Sequence, residues 1–256
     1  MFTEHKIDLS SGPVHYQQGG SGPPLMHLHP AAGPRLTPVI EQLARRHAVY
    51  VPAAPGFNGT PRHAAVVGMT GLAALMAEFA QKVCGGRCDV VAESFGAWVA
   101  LWLAAQHPNL VDHLVVEGPA GLRDNGTGGV PADPDARMRA LYAHPERAPK
   151  DTRTPEVIAE TARARDFYVN GIEYDAALHQ ALPRIKARTL VMMGTSDTVA
   201  PVVVAHRIKA AVASSHLSFI YGAAHSIEFD APERVGPLIS AFLERGEAFV
   251  VRSPAA

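Results

Sequence analysis

The chain has 256 residues, 47% hydrophobic and 18% charged, with a formal net charge of −1. That length and apolar content suit a single α/β domain carrying an insertion and exclude a disordered chain. The charge balance excludes a basic nucleic-acid or membrane-surface binder, and no apolar run approaches the ~20 residues of a membrane span.

Met1 to Lys6 lacks a secretory hydrophobic stretch, so a cytoplasmic location is expected. Residues 5–18 alternate as two short antiparallel strands around Ser11-Gly12-Pro13. Leu25 to His29 is a short buried strand, and Thr37-Pro38 opens a helix with Ile40 and Leu43 inward. Ala48 to Val51 is the next strand. Thr70 is placed to cap a helix carrying Leu72, Leu75, Met76, Phe79 and Val83 on one face. Cys84 and Cys88 are too few for a disulfide framework and lack further zinc ligands at a suitable spacing, so both read as structural thiols. Asp89 to Ala92 is a buried strand, followed by an apolar helix and a strand from Leu110 to Val116.

From 121 to 185 the composition turns polar and proline-rich, with short helices predicted near 135–143, 155–166 and 173–181. The sheet resumes at Thr189 to Gly194, then a helix follows Pro201 and a last strand runs from Leu217 to Tyr221. Asp230 and Glu233 have capping-box spacing before an amphipathic helix that ends at Gly246. Strand–helix alternation on both sides of the insertion predicts a mostly parallel sheet with helices on both faces. The core would comprise 1–120 and 186–256, with 121–185 a helical cap.

Ser94 sits where a buried strand meets a helix. Ala92 and Gly96, two residues to either side, are small, as a strained strand-to-helix turn demands. The helix start also turns free N–H groups and a positive dipole end towards the serine. A plain helix N-cap remains the alternative from this stretch alone. Asp197 and His225 also fall just past strand ends. In a parallel sheet those ends share one edge, so a hydroxyl, an imidazole and a carboxylate distant in sequence can meet there as nucleophile, base and orienting acid.

The order Ser, Asp, His resembles the α/β-hydrolase superfamily over nearly the whole chain. Leu28-His29-Pro30-Ala31-Ala32-Gly33 resembles its oxyanion loop, with Pro30 where Gly is usual. Val51 to Thr60 resembles its Asp-x-Pro-Gly-x-Gly-x-Ser loop, with Ala53 in place of Asp, and Ala92 replaces the first Gly of the elbow. Gly194-Thr195-Ser196-Asp197 and Gly222-Ala223-Ala224-His225 resemble the acid and histidine loops. The resemblance implies catalytic Ser94, Asp197 and His225, oxyanion donors at the N–H groups of Phe95 and Ala31, and no metal or organic cofactor. A serine at 94 argues against the family's carboxylate-nucleophile dehalogenases and epoxide hydrolases.

The leading expectation is a serine hydrolase of a small or medium ester, thioester or lactone. Alternatives are a carbon–carbon bond hydrolase of ring-cleavage products, a cofactor-free perhydrolase and a non-catalytic ligand-binding relative. Carbon–carbon hydrolases often carry Trp after the catalytic His, where this chain has Ser226. The expected partner is a small molecule, with neither nucleic acid nor membrane; a homodimer stays open. Pocket candidates are His29, Glu93, Tyr142, Phe167 and Tyr168, with Tyr174 also considered. Glu93 has two readings: a solvated or hydrogen-bonded structural residue, or a charge that faces the pocket and disfavours anionic substrates. His27 and His29 read as loop anchors rather than a metal pair.

Overall fold

A computed structural model describes residues 1–250. In chain order the elements are β1 (Thr3–Leu9), β2 (Gly12–Gly19), β3 (Pro24–Leu28), α1 (Pro38–Leu43), β4 (Ala48–Pro52), α2 (Gly68–Lys82), β5 (Cys88–Glu93), α3 (Phe95–Gln106) and β6 (Val111–Glu117). There follow α4 (Pro134–Leu141), α5 (Pro155–Val169), α6 (Ala176–Ala181), β7 (Arg188–Gly194), α7 (Val202–Ala211), β8 (Ser215–Ile220), α8 (Ile227–Asp230) and α9 (Pro232–Arg245). Among the described residues, short 3₁₀ segments lie at Pro145–Arg147, Leu182–Arg184 and Gly246–Val250.

The strands form one sheet in the order β1-β2-β4-β3-β5-β6-β7-β8. β1/β2 and β2/β4 are antiparallel, and the other pairs are parallel. Period-two alternation divides β5 between two cores. Val90 and Ala92 pack with α2, α3 and α7, whereas Val91 packs with α1 and α9. Every residue of β5 is buried, as expected of a central strand covered on both faces. In α3 every residue from Phe95 to Ala105 is buried, so this helix follows its surroundings rather than an amphipathic pattern.

Local chemistry accounts for most boundaries. Thr37 caps α1 by accepting from the Ile40 N–H at 3.0 Å, with Pro38 at the first helical position. Two expectations need correcting. α2 begins at Gly68 with Val67 as N-cap and no side-chain cap, so Thr70 lies inside its first turn. Asp230 does not cap α9, which starts at Pro232 after Ala231. Its carboxylate instead accepts from the N–H groups of Ala224 (2.8 Å), Ala143 (2.9 Å) and His144 (3.0 Å). Asp230 thereby ties the segment after α4 to the loop that carries His225. Cys84 and Cys88 are free and buried. No described helix is long and apolar enough to cross a membrane.

Between β6 and β7 the chain leaves the sheet. The observed α4, α5 and α6 fall where short helices were predicted, and a single antiparallel bridge joins Leu122 and Tyr174. α5 packs on α2. Asp175 caps α6 and also accepts from both indole N–H groups of α3, Trp98 at 3.0 Å and Trp102 at 2.8 Å. One carboxylate thus fastens the inserted segment to the helix that follows Ser94.

Candidate active site

Ser94 closes β5 and opens α3 with φ +53°, a left-handed backbone rare for a residue with a side chain. Its N–H donates to the Glu117 carbonyl at 2.8 Å and its carbonyl accepts from Trp98 and Ala120. These bonds hold the strained turn. Gly96 is required by proximity. A Cβ there would lie 2.2 Å from the Leu28 carbonyl oxygen and 2.6 Å from that of His29, both backbone atoms.

Three strand ends bring the predicted groups together. His225 Nε2 lies 2.9 Å from Ser94 Oγ, and Nδ1 lies 2.9 Å from Asp197 Oδ2. The second Asp197 oxygen accepts from the N–H groups of Val199 and Ala200 at 2.8 and 2.9 Å. A carboxylate accepts and does not donate, so Nδ1 carries the imidazole proton and Nε2 is free to accept from the serine hydroxyl. Burial works against protonating His225. The charge and hydrogen bond of Asp197, with Glu93 behind, outweigh it and raise the imidazole above its ordinary value.

Gly118 lies against this line of groups with φ +47°, and a Cβ there would be 2.9 Å from His225 Nδ1 and 3.1 Å from Asp197 Oδ2. Gly118→Ala is expected to displace the imidazole and lower turnover about 100-fold, at a folding cost of about 1 kcal/mol. Steady-state kinetics and urea unfolding on the same preparation check this. Equal activity in the two proteins contradicts the tight packing of His225.

His29 lies just beyond β3. Its Nε2 accepts from the Ala54 N–H at 3.1 Å, which leaves Nδ1 to donate to the Pro30 carbonyl at 2.7 Å. Burial drives its pKa down to about 4, with His27 adding to the effect and the Pro30 bond opposing it. His29 is therefore a neutral anchor joining the Pro30–Gly33 turn to the Ala54 loop. Its ring is tilted against Phe57 at 4.7 Å and stacked on Phe95 at 6.2 Å, centroid to centroid. A cavity of about 20 Å³ lies beside it against Ala54, Phe95 and Val99, room for one water. A surface hollow of about 450 Å³ is bounded by His15, Tyr16, Arg35 and Arg153, and its lining includes neither Ser94 nor His225.

The remaining candidates divide. Tyr168 on α5 is buried 6.4 Å from the Phe95 ring, centroid to centroid, and its hydroxyl has no partner among the described residues. Burial pushes that hydroxyl up to about 12, so it stays a neutral donor. Phe167 packs edge-on to Tyr168 and carries the Arg62 guanidinium 4.0 Å above its ring. Tyr142 stands edge-on to Phe229, and the preceding Leu141 carbonyl accepts from Ser226. Tyr174 is turned away, bonded to His179 and stacked by Arg207. Glu93 is not solvated. It shares the α1/α9 side of β5 with Val91 and is 3% exposed.

His27 Nε2 meets Glu228 Oε1 at 3.1 Å, so the two histidines of β3 and its exit have separate partners. At the opposite end of β5 and β6, Asp89, Asp112 and His113 bring possible ligand atoms within 4.8 Å of one another. Those groups are already paired, His113 with Asp89 at 2.9 Å and Asp112 with Arg87 at 2.5 Å.

An alpha/beta hydrolase family profile matches residues 14–237. The chain is 27% identical over 270 residues to a 2-hydroxymuconate semialdehyde hydrolase of Pseudomonas sp. strain CF600, covering 91% of this chain and 90% of that protein. It is 24% identical over 249 residues to a 2-hydroxy-6-oxo-2,4-heptadienoate hydrolase of Pseudomonas putida, covering 88% and 90%. In fold it is similar to a serine hydrolase involved in carbazole degradation, with a TM-score of 0.79, 20% identity and coverage of 95% and 99%. With a parallel sheet that gathers a serine, a histidine and an aspartate at one edge, and a profile match across most of its length, the chain belongs to the alpha/beta hydrolase family.

Proposed function

We propose that the protein is a serine hydrolase in which Ser94 attacks a substrate carbonyl, His225 moves the protons and Asp197 holds the imidazole. The observation that carries this reading is the pair of 2.9 Å contacts on either side of the His225 ring. The Ser94 oxygen bonds to the carbonyl carbon as its proton passes to Nε2. The N–H groups of Phe95 and Ala31 stabilise the oxyanion. Nε2 then delivers that proton to the leaving atom, and the acyl-enzyme forms. Water adds to it with His225 again as base, and Ser94 is released. The helices of 121–185 act as a cap, with Tyr168, Phe167 and Tyr142 as lining. The unpartnered Tyr168 hydroxyl offers a hydrogen bond to a substrate oxygen.

The favoured substrate class is a 2-hydroxy-6-oxo-dienoate cleaved at the carbon–carbon bond beside the 6-oxo group. Support comes from the two curated relatives, each matched over about nine-tenths of both chains. Ester hydrolysis is the second reading, favoured by Ser226 where such hydrolases often carry Trp. The same three groups serve both chemistries. Comparison of kcat/KM for 2-hydroxy-6-oxo-2,4-heptadienoate with p-nitrophenyl acetate and butyrate separates them. The dienoate is expected to lead by at least about tenfold, roughly 1.4 kcal/mol in barrier. The reverse order makes the protein an esterase.

A further inference from the structure

We propose that Glu93 is a positioning carboxylate for His225, one whose charge sets the strength of the base that activates Ser94. This rests on the Ser94–His225 reading above and adds a group that the reading does not use.

The argument begins with register. Glu93 ends β5 opposite Glu117 at the end of β6, so two carboxylates stand side by side on one face of the sheet. His27 enters that face from β3, and Glu228 closes it from α8. Glu93 is 3% exposed, His27 1%, and Glu117 and Glu228 0%. Four titratable side chains are thus enclosed on one face of the sheet, beside the end of β5 that leads into the serine turn.

These groups differ in their hydrogen bonds. Glu228 pairs with His27 and accepts from the Thr37 hydroxyl. Burial works against a charge on His27, but the Glu228 carboxylate outweighs it and raises the imidazole. Neither Glu117 oxygen has a partner among the described residues. Burial above all, then the charges of Glu228 and Glu93, raise this carboxyl well above its ordinary value, which favours its neutral form.

Glu93 is the member in between. Its Oε1 accepts from the Ser226 hydroxyl at 3.4 Å, and Ser226 directly follows His225. Burial and then the Glu228 charge push it up to about 7, opposed by His225, His27 and the Ser226 bond. The groups facing it are Glu117 from β6, His27 from β3, Glu228 from α8, His225 and Ser226 from the loop after β8, and Tyr142 after α4. Among these it is the acid whose charge changes near neutrality beside the imidazole.

The sign follows from linkage. An ionised Glu93 favours the imidazolium, so it raises the pH at which His225 loses its proton. A protonated His225 in turn favours ionised Glu93. The coupling therefore eases loss of the Glu93 proton and delays loss of the His225 proton, moving the two steps apart. Glu93→Gln removes the charge and keeps the shape. The His225 midpoint then moves to lower pH by about one unit. Glu117 is not among the groups whose charge acts on His225, so Glu117→Gln leaves that midpoint in place.

Two measurements test this. One is the rate of Ser94 modification by a fluorophosphonate between pH 4 and 9. The other is the NMR titration of the His225 imidazole in histidine-labelled protein. Wild type, E93Q and E117Q are compared in each. The expected result is an acid shift of about one unit in both readouts for E93Q alone. Labelling at Ser94 with the same midpoint in E93Q overturns the role of Glu93 and leaves the nucleophile assignment standing. Absence of labelling in wild type overturns the nucleophile assignment, and the NMR shift still decides the Glu93–His225 coupling. Should E93Q not fold, the wild-type Glu93 carboxyl resonance decides instead. Titration near 7, with a matching inflection on His225, supports the role; an ordinary carboxyl titration overturns it.

Discussion

Ser94→Ala is expected to lower kcat by about 10⁴- to 10⁶-fold while the protein remains folded. The serine hydroxyl is bonded to His225, and the turn itself is held by the backbone bonds of residue 94 to Glu117, Trp98 and Ala120. Alanine keeps all three backbone bonds and meets the same positive φ, so no new strain enters. The lost contact is one hydrogen bond, worth about 1 kcal/mol to folding. The loss of the nucleophile is of another order, because among the described residues Ser94 supplies the one hydroxyl bonded to Nε2. Turnover and urea unfolding of the two proteins side by side check this. A fall in kcat of less than about 100-fold places the nucleophile elsewhere.

Asp197→Asn is expected to reduce kcat by about 10⁴-fold, and the reason is proton placement rather than shape. Oδ1 accepts from the Val199 and Ala200 N–H groups, so an asparagine must keep its carbonyl oxygen there. Its NH₂ then faces Nδ1 of His225. A donor at that place makes Nδ1 the acceptor and moves the imidazole proton to Nε2. An Nε2–H cannot accept the serine proton. The opposite amide orientation sets two N–H groups against an NH₂ and is worse. Stability is expected to change by no more than about 1–2 kcal/mol, because the loop bonds survive. A deep fall in kcat with KM little changed supports this, and a fall below tenfold contradicts it.

The sheet and the meeting of Ser94, Asp197 and His225 were legible because parallel strands reveal their carboxyl ends locally. Ser94 and Asp197 follow buried runs and His225 follows the edge strand β8, and sheet topology does the rest. The limits were equally physical. Asp230 and Glu233 have the spacing of a helix cap, but a spacing rule sees four residues and not the N–H groups of Ala143 and His144 nearly ninety positions away. Thr70 offered the right hydroxyl for a cap, yet α2 begins two residues earlier, where Gly68 adopts φ +63°. Glu93 had two readings, a solvated or hydrogen-bonded structural residue or a pocket charge, because its neighbours in space, Glu117 and Glu228, lie on other elements far away in sequence. Only the β5/β6 register and the short α8 enclose them together. Asp175 gave no signal at all, since its two indole partners lie on α3.

The most direct test is to treat the protein at neutral pH with a fluorophosphonate and map the adduct by mass spectrometry. The expected result is one adduct per chain, on the Ser94 peptide, and none in the alanine variant. An unmodified wild-type chain, or an adduct on another residue, contradicts a hydroxyl made nucleophilic by the neighbouring imidazole.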